Sequence, residues 1–205
     1  MAGLDHGWDS QELNRAAGEL FIGLSAVAID SVPTIDFDTG TPDALANPDA
    51  ESVGYTAEGW TASAKPAIEG DRVDEEEDPV EDYVNTNEVT LAGTMRQVKN
   101  LPRLAKLTPG SVYHAAAGGV EKVTGGGKRS FSYMTAMLIW EDHQEPGVFW
   151  AFVLYKCVNT AGIEIAVGRT KGSAVPISLS GRAVSTRTAG DRTYAFVRYE
   201  EVVGP

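Results

Sequence analysis

Histidine, cysteine and clustered carboxylates are the groups with which a chain of this size would do chemistry, and here they are few and scattered. His6, His114 and His143 are the only histidines, and no two stand at the i, i+4 spacing that sets two imidazoles on one helix face. Glu141, Asp142, His143 and Glu145 suggest a metal-ligand run. Ligands must converge in space on one ion, however, and this Pro-Gly-containing connection reads as a solvated turn. Gly125, Gly126, Gly127 and Lys128 make part of a phosphate-binding loop, but Arg129 stands where a Ser or Thr would hold magnesium, and the first glycine is missing. No serine sits in a Gly-x-Ser-x-Gly elbow. Cys157, the single cysteine, lies in an apolar run and reads as a small core residue. It also excludes an internal disulfide framework. No catalytic residue, metal or cofactor is assigned, and the reading is of a protein that is not an enzyme.

Charge is the stronger signal. Across 205 residues, 29 acids against 17 bases leave a formal charge of -12. Duplex nucleic acid is held mainly by Lys and Arg on phosphates, so the general surface is not built for it. Residues 1–100 carry 21 acids and 5 bases, and residues 101–205 carry 8 and 12. Halves of opposite sign suit contact between copies; packing of the two halves within one monomer explains them equally well. Asp74, Glu75, Glu76, Glu77 and Asp78 are consecutive, which suits either a solvated loop or a docking element for a basic partner.

Any such groups must be positioned by β-structure. The longest apolar run, Val148 to Tyr155, is one strand long, far short of the roughly 18 residues of a membrane span. Leu20 to Ile29 has the apolarity of a secretion signal but follows Glu19, Glu12, Asp9 and Asp5 with only Arg15 in opposition, whereas a signal needs a positive leader. The expectation is a soluble protein made in a cytosol. Strands are expected over 20–29, 53–64, 90–98, 130–140, 148–157, 163–169, 175–186 and 193–203. In the fifth, Phe149, Ala151, Val153 and Tyr155 share one face, and Trp150, Phe152 and Leu154 the other, which suits a strand covered on both sides. Leu101, Leu104, Ala105 and Leu107 give the one convincing helical face, closed by Pro109 and Gly110. Long loops are expected over 33–52 and 68–88, beyond an N-terminal arm, 1–17. The fold class is mainly β, a sandwich or barrel of two packed antiparallel sheets in a single domain with one short flanking helix.

The stretch Val53-Gly54-Tyr55-Thr56-Ala57-Glu58-Gly59-Trp60-Thr61 carries a pattern, Gly-Tyr-Thr-x-Glu-Gly. It resembles the strand that opens the core of the major tail tube protein of long-tailed (siphovirus-like) bacteriophages. Its surroundings agree in order over most of residues 18–200: a short strand and a Pro- and Asp-rich loop before it, then an acidic loop with Asp78-Pro79-Val80, a strand, a short helix and a β-rich C-terminal half with Ala174-Val175-Pro176-Ile177.

That resemblance implies a structural virion protein, assembled in the host cytoplasm, whose hexameric rings stack into a tail tube. The lumen would hold a tape-measure protein and later pass genome DNA without sequence-specific binding; tail terminator and tail tip proteins would be further partners, with no membrane. The acid surplus suits a wall that must enclose a polyanion without adhering to it. For contacts between rings, the expectation is that Asp74, Glu75, Glu76, Glu77 and Asp78 of one copy meet Lys99, Arg103 or Lys106 of another. The alternatives are another tube or virion component, such as a contractile-tail inner tube, a tail-completion or a decoration module. A carbohydrate-binding β-sandwich using Trp8, Trp60 and Trp140 is a third reading, and a hydrolase the weakest.

Overall fold

The apolar run from Val148 decides the architecture, because a strand apolar on both faces must be covered on both. A computed structural model describes residues 18–25, 31–54, 56–71, 81–96, 100–126, 132–162, 164 and 174–201, with backbone alone at 57, 58, 68–71 and 81–86. In chain order the elements are β1 (Glu19–Ile22), β2 (Ile35–Asp36), β3 (Thr41–Pro42), β4 (Glu51–Ser52), β5 (Thr56–Asp71), β6 (Glu81–Met95), α1 (Leu101–Leu107), β7 (Val112–Ala117), β8 (Val120–Thr124), β9 (Met134–Glu141), β10 (Val148–Asn159), β11 (Val175–Gly181) and β12 (Tyr194–Glu200).

The protein is mainly β. Eight of these strands form one antiparallel sheet in the order β4-β1-β9-β10-β11-β6-β5, with β12 also paired to β10. β2–β3 and β7–β8 are separate small hairpins. The sheet branches because β10 divides its pairing: Val148–Leu154 bond β12, whereas Cys157–Asn159 bond β11. β9 runs beside both halves of β10. Where two packed sheets or a barrel were expected, the described residues form one large branched sheet that does not close.

Both faces of β10 are buried, as the alternation requires. Phe149, Ala151, Val153 and Tyr155 enter one cluster with Phe21, Leu24, Ile35, Met137 and Ile139. Phe152, Leu154 and Cys157 enter the other with residues of β1, β6, β9 and β11, and with Leu104 and Leu107 of α1. The helix lies where its sequence places it. Asn100 Oδ1 accepts from the Arg103 amide at 3.0 Å, Pro102 occupies its first turn, and Thr108 bonds back to Ala105. Buried Asn159 donates to the Leu107 carbonyl at 3.0 Å and accepts from the Ser178 amide at 2.9 Å, so one satisfied amide joins α1, β10 and β11.

Two expected loops are more ordered than their composition suggests. Residues 68–71 and 81–88, read as loop, continue β5 and β6 in a ladder running to Asp71 opposite Glu81. Acidic residues such as Glu69, Asp71, Glu81 and Asp82 obscured the strands by leaving no sustained apolar alternation to read. Residues 33–52 form the β2–β3 hairpin and turns that bring Ile35 and Phe37 onto the second core face. Strand 20–29 ends at Ile22, 175–186 at Gly181, and the β7–β8 hairpin follows the helix where no strand was expected. The expected strand over 163–169 and the arm 1–17 lie outside the described residues, save Glu164.

Candidate assembly interface

The helix corner concentrates charge. Arg103 Nε and Lys106 Nζ reach the two oxygens of Glu51 at 3.1 and 3.2 Å, and the Asn100 amide adds a 3.0 Å bond. Arg103 also donates to the Val53 carbonyl at 3.1 Å. Arg103 is 12% exposed and Lys106 43%, so the first is a structural clamp from α1 to β4 and the second still faces water. Both were expected to meet an acidic run of another copy; each has an acidic partner within its own chain. Lys99 and Asp74, Glu75, Glu76, Glu77 and Asp78 lie outside the described residues.

The strand pattern has a backbone cause. Gly54 and Gly59 have φ of 85° and 88°, a region disfavoured for side-chain-bearing residues. Gly59 sits where the β5–β6 register shifts between Thr56 and Trp60, and its amide donates to Thr56 Oγ1 at 2.9 Å. The pattern residues Gly54, Thr56 and Gly59 thus shape a bulge at the start of β5; Glu58 lies within it, and Tyr55 falls outside the described residues.

Beyond this bulge the two strands leave the sheet. β6 pairs with β11 only from Thr90 to Met95, whereas its pairing with β5 continues from Val89 down to Glu81. Ala64, Lys65, Pro66, Ala67, Asn87 and Glu88 are all exposed. The projection from Val89 to Glu81 is about 25 Å long at the usual rise per residue. An isolated two-stranded ribbon is marginal in water, and this one carries the acid run at its tip.

At the opposite border, β12 has β10 on one side and no described strand on the other. Phe196, 57% exposed, stacks on Trp150 with ring centroids 5.2 Å apart and meets Trp140 at a tilt with centroids 5.8 Å apart. Tyr194 stacks on Phe152 at 5.4 Å. Trp150 Nε1 donates to Asp142 at 3.0 Å, and Arg198 bridges Glu145 and Glu200. This aromatic row was missed as a unit because its members come from three strands, although Tyr194 and Phe196 at period 2 were its sequence signal. Lys65 and Pro66 blunt the outer edge of β5, and the paired Arg198 and Glu200 stand at the end of β12.

Buried polar groups secure the other core face. Arg187, with its side chain 3% exposed, bonds Asp191 Oδ2 at 2.6 Å and the Ser31 carbonyl at 2.8 Å, and lies 3.6 Å above the Tyr155 ring. Tyr155 donates to Asp191 at 2.8 Å. Burial, and then that bond to a carboxylate, push its phenol up to about 12. Tyr199 donates to the Pro33 carbonyl at 2.6 Å and is also pushed upward by burial.

The chemistry-bearing residues do not converge. His114 bonds Thr124 at 2.9 Å within the β7–β8 hairpin. Glu141 accepts from the Gly147 amide, and Asp142 from the Gln144 amide and Trp150, so these carboxylates shape the β9–β10 connection. Those bonds, led by the Gln144 amide, hold the exposed Asp142 carboxyl below its usual range. Burial pushes the Cys157 thiol up to about 12, away from the reactive thiolate. Among the described residues no group of three or more His, Cys, Asp or Glu could hold a metal ion, and no helix is long and apolar enough to cross a membrane. Trp60 and Trp140 pack against the core; Trp8 lies outside the described residues. Compared with known protein families and with curated proteins, the chain matches none.

Proposed function

We propose that this protein is a structural subunit of a bacteriophage tail tube, in which copies associate into rings, hexameric by the family resemblance, and the rings stack into a hollow shaft. The observation that carries this reading is the β5–β6 ribbon. On this reading a two-stranded arm exposed at Ala64–Ala67 and at Asn87 and Glu88, running past its last pairing with β11, acts between molecules. It gains free energy only when a neighbour covers it. The β12 border with its aromatic row supplies a second surface for the same purpose.

On this reading the two buried faces of the branched sheet serve as the two packed layers of a tail-tube domain spanning the chain, with α1 on the flank. The formal charge of -12 suits a lumen that passes a tape-measure protein and then DNA without holding either. Terminator and tip proteins would cap the shaft, and the site of action is the virion tail.

Negative-stain microscopy of the purified full-length protein tests this. Hollow cylinders or six-membered annuli are expected; a monomer persisting at every concentration overturns the reading. A second reading, a glycan-binding sandwich, draws on the exposed Phe196 beside Trp150 and Trp140. Tight binding of a saccharide by the monomer, abolished by Phe196→Ala, would favour it.

A further inference from the structure

Hydrogen bonding along β10 fixes which backbone groups of β12 are free. The Tyr155 amide donates to the Thr193 carbonyl at 3.3 Å, in line with the register that pairs Leu154 with Tyr194. Antiparallel strands exchange their bonds at every second pair, so Ala195, Val197 and Tyr199 bond to β10. The amides and carbonyls of Tyr194, Phe196, Arg198 and Glu200 therefore point away from it. The far side of β10 obeys the same rule: the Asp142 amide bonds the carbonyl of Val148, an even-numbered residue that turns toward β9. Just before β12 the outer edge is taken, because the Val184 amide donates to the Arg192 carbonyl at 2.8 Å. From Tyr194 to Glu200 no described backbone takes it. The same four outward residues carry the exposed side chains of the strand.

We propose that two copies of the chain join these edges as antiparallel strands about a two-fold axis through Val197, continuing one sheet across both. All four outward residues then find partners within β12. Tyr194 lies opposite Glu200 of the second copy and Phe196 opposite its Arg198, and the axis repeats both pairs. The neighbouring registers fail. An axis through Phe196 sets Glu200 against Arg192, whose carbonyl Val184 already holds; one through Arg198 sets two guanidiniums face to face. In the retained register the charges are complementary. Arg198, neutralised by Glu145 and Glu200 of its own chain, covers the Phe196 ring of the other copy, and like charges are never directly opposed. A two-fold contact closes on itself and cannot propagate, so it is distinct from the contacts of a ring or shaft. Its role rests on the tube reading: the dimer occupies the β12 border and withholds it from strand addition until the subunit joins a shaft.

Full-length Val197→Cys, oxidised and run on a non-reducing gel, tests the register, with the wild type reporting any background from buried Cys157. The axis sets residue 197 opposite its own copy in a non-hydrogen-bonded pair, with Cα atoms about 4.5 Å apart and within disulfide reach. Ala195→Cys is the control, since its two copies would stand four residues out of register, about 14 Å apart. A covalent dimer from Val197→Cys and none from Ala195→Cys is the expected result; the reverse, or no link from either, would overturn the contact. Because Val197 packs against the core, a second pair of variants changes only the exposed Phe196. Phe196→Lys would face Arg198 of the second copy twice, whereas Phe196→Glu would pair with it. Their dimer dissociation constants by sedimentation should differ by roughly tenfold, as two symmetry-related cross-strand pairs allow, and equal constants would overturn the register. Val197→Cys protein locked by oxidation should build no cylinders until it is reduced; cylinders from locked protein would overturn the withholding role. Wild-type cylinders with no 197–197 link would overturn the two-fold contact and leave the tube. The link with no cylinders after reduction would support the contact and overturn the tube.

Discussion

Trp60 of β5 lies across Gly93 of β6: the two are direct cross-strand partners, and a Cβ built on Gly93 would come within 2.3 Å of the indole Cε3. It would also meet Cζ3 at 2.7 Å and the Gly59 carbonyl at 3.0 Å. The indole therefore uses the missing side chain as its seat, at the point where the ribbon joins the sheet and where Trp60 packs on the main core cluster. Gly93→Ala should force the ring off this seat and destabilise the monomer by about 1–3 kcal/mol, an overpacking cost. The check is a urea midpoint in both backgrounds. With Trp60→Ala already present, the Gly93→Ala penalty should largely vanish, and an unchanged penalty would show that Trp60 is not its cause.

Arg187 gives the second prediction. Its guanidinium is nearly water-free, holds Asp191 and the Ser31 carbonyl, and covers Tyr155. Arg187→Met fills comparable space but leaves Asp191 without its cation and the Ser31 carbonyl without this donor. Asp191 is 34% exposed and so keeps part of its hydration, and removing its cation should cost about 1–3 kcal/mol. Arg187→Lys should recover only part of the loss, because an ammonium cannot cover an aromatic face and bond two oxygens in one plane. Equilibrium unfolding of the three proteins measures this. Equal stability of the Met variant would mean the buried cation is dispensable.

Alkaline pH gives the third. The Cys157 thiol and the Tyr155 phenol are both pushed up to about 12, and Tyr199 is pushed up as well, each chiefly by burial. In the unfolded chain the thiol ionises near 9 and the phenols near 10, so above those values the unfolded state binds fewer protons than the folded one. The stability these groups contribute is then complete below about pH 8.5 and falls as pH rises toward 12. Urea midpoints measured from pH 8 to pH 11 should decline across that window. Cys157 should stay unreactive to a thiol reagent until the decline begins. A flat profile would mean that neither the thiol nor the phenols are held neutral by the fold.

How much of this was readable from residues alone depends on whether a residue's partner lies nearby in sequence. The helix was legible, since Leu101, Leu104, Ala105 and Leu107 mark one face and Pro109 and Gly110 close it; the caps at Asn100 and Thr108 needed coordinates. So was the double burial of β10, because eight consecutive apolar residues leave no polar face. The ribbon was not legible: 68–71 and 81–88 carry loop composition, and their strand character lies in the pairing of one backbone with the other. The interface residues divide the same way. Lys106 was identified by charge, but the Glu51 that engages it is distant in sequence. The pattern glycines 54 and 59 were recognised by resemblance, whereas their cause, positive φ at a register shift, needed coordinates.

The ribbon itself gives the last prediction. Replacing residues 65–88 by Asn-Gly would join Ala64 to Val89, already direct cross-strand partners, through a two-residue turn suited to a hairpin. Everything below that join belongs to the core: Trp60, Val89, Leu91 and Met95 pack in the main cluster, while 64–67, 87 and 88 are exposed. The shortened chain should therefore fold, with a stability change within about 1 kcal/mol, since the described side chains removed, 65–67, 87 and 88, are exposed and forfeit little burial. Assembly should be lost if, as proposed, the arm acts between molecules. Thermal melting and sedimentation velocity measure the two outcomes independently. A shortened chain that melts normally yet still builds cylinders would show that the arm is not an assembly element, and the proposed function would lose the observation on which it stands. One that no longer folds would show instead that the ribbon supports the sheet from which it springs.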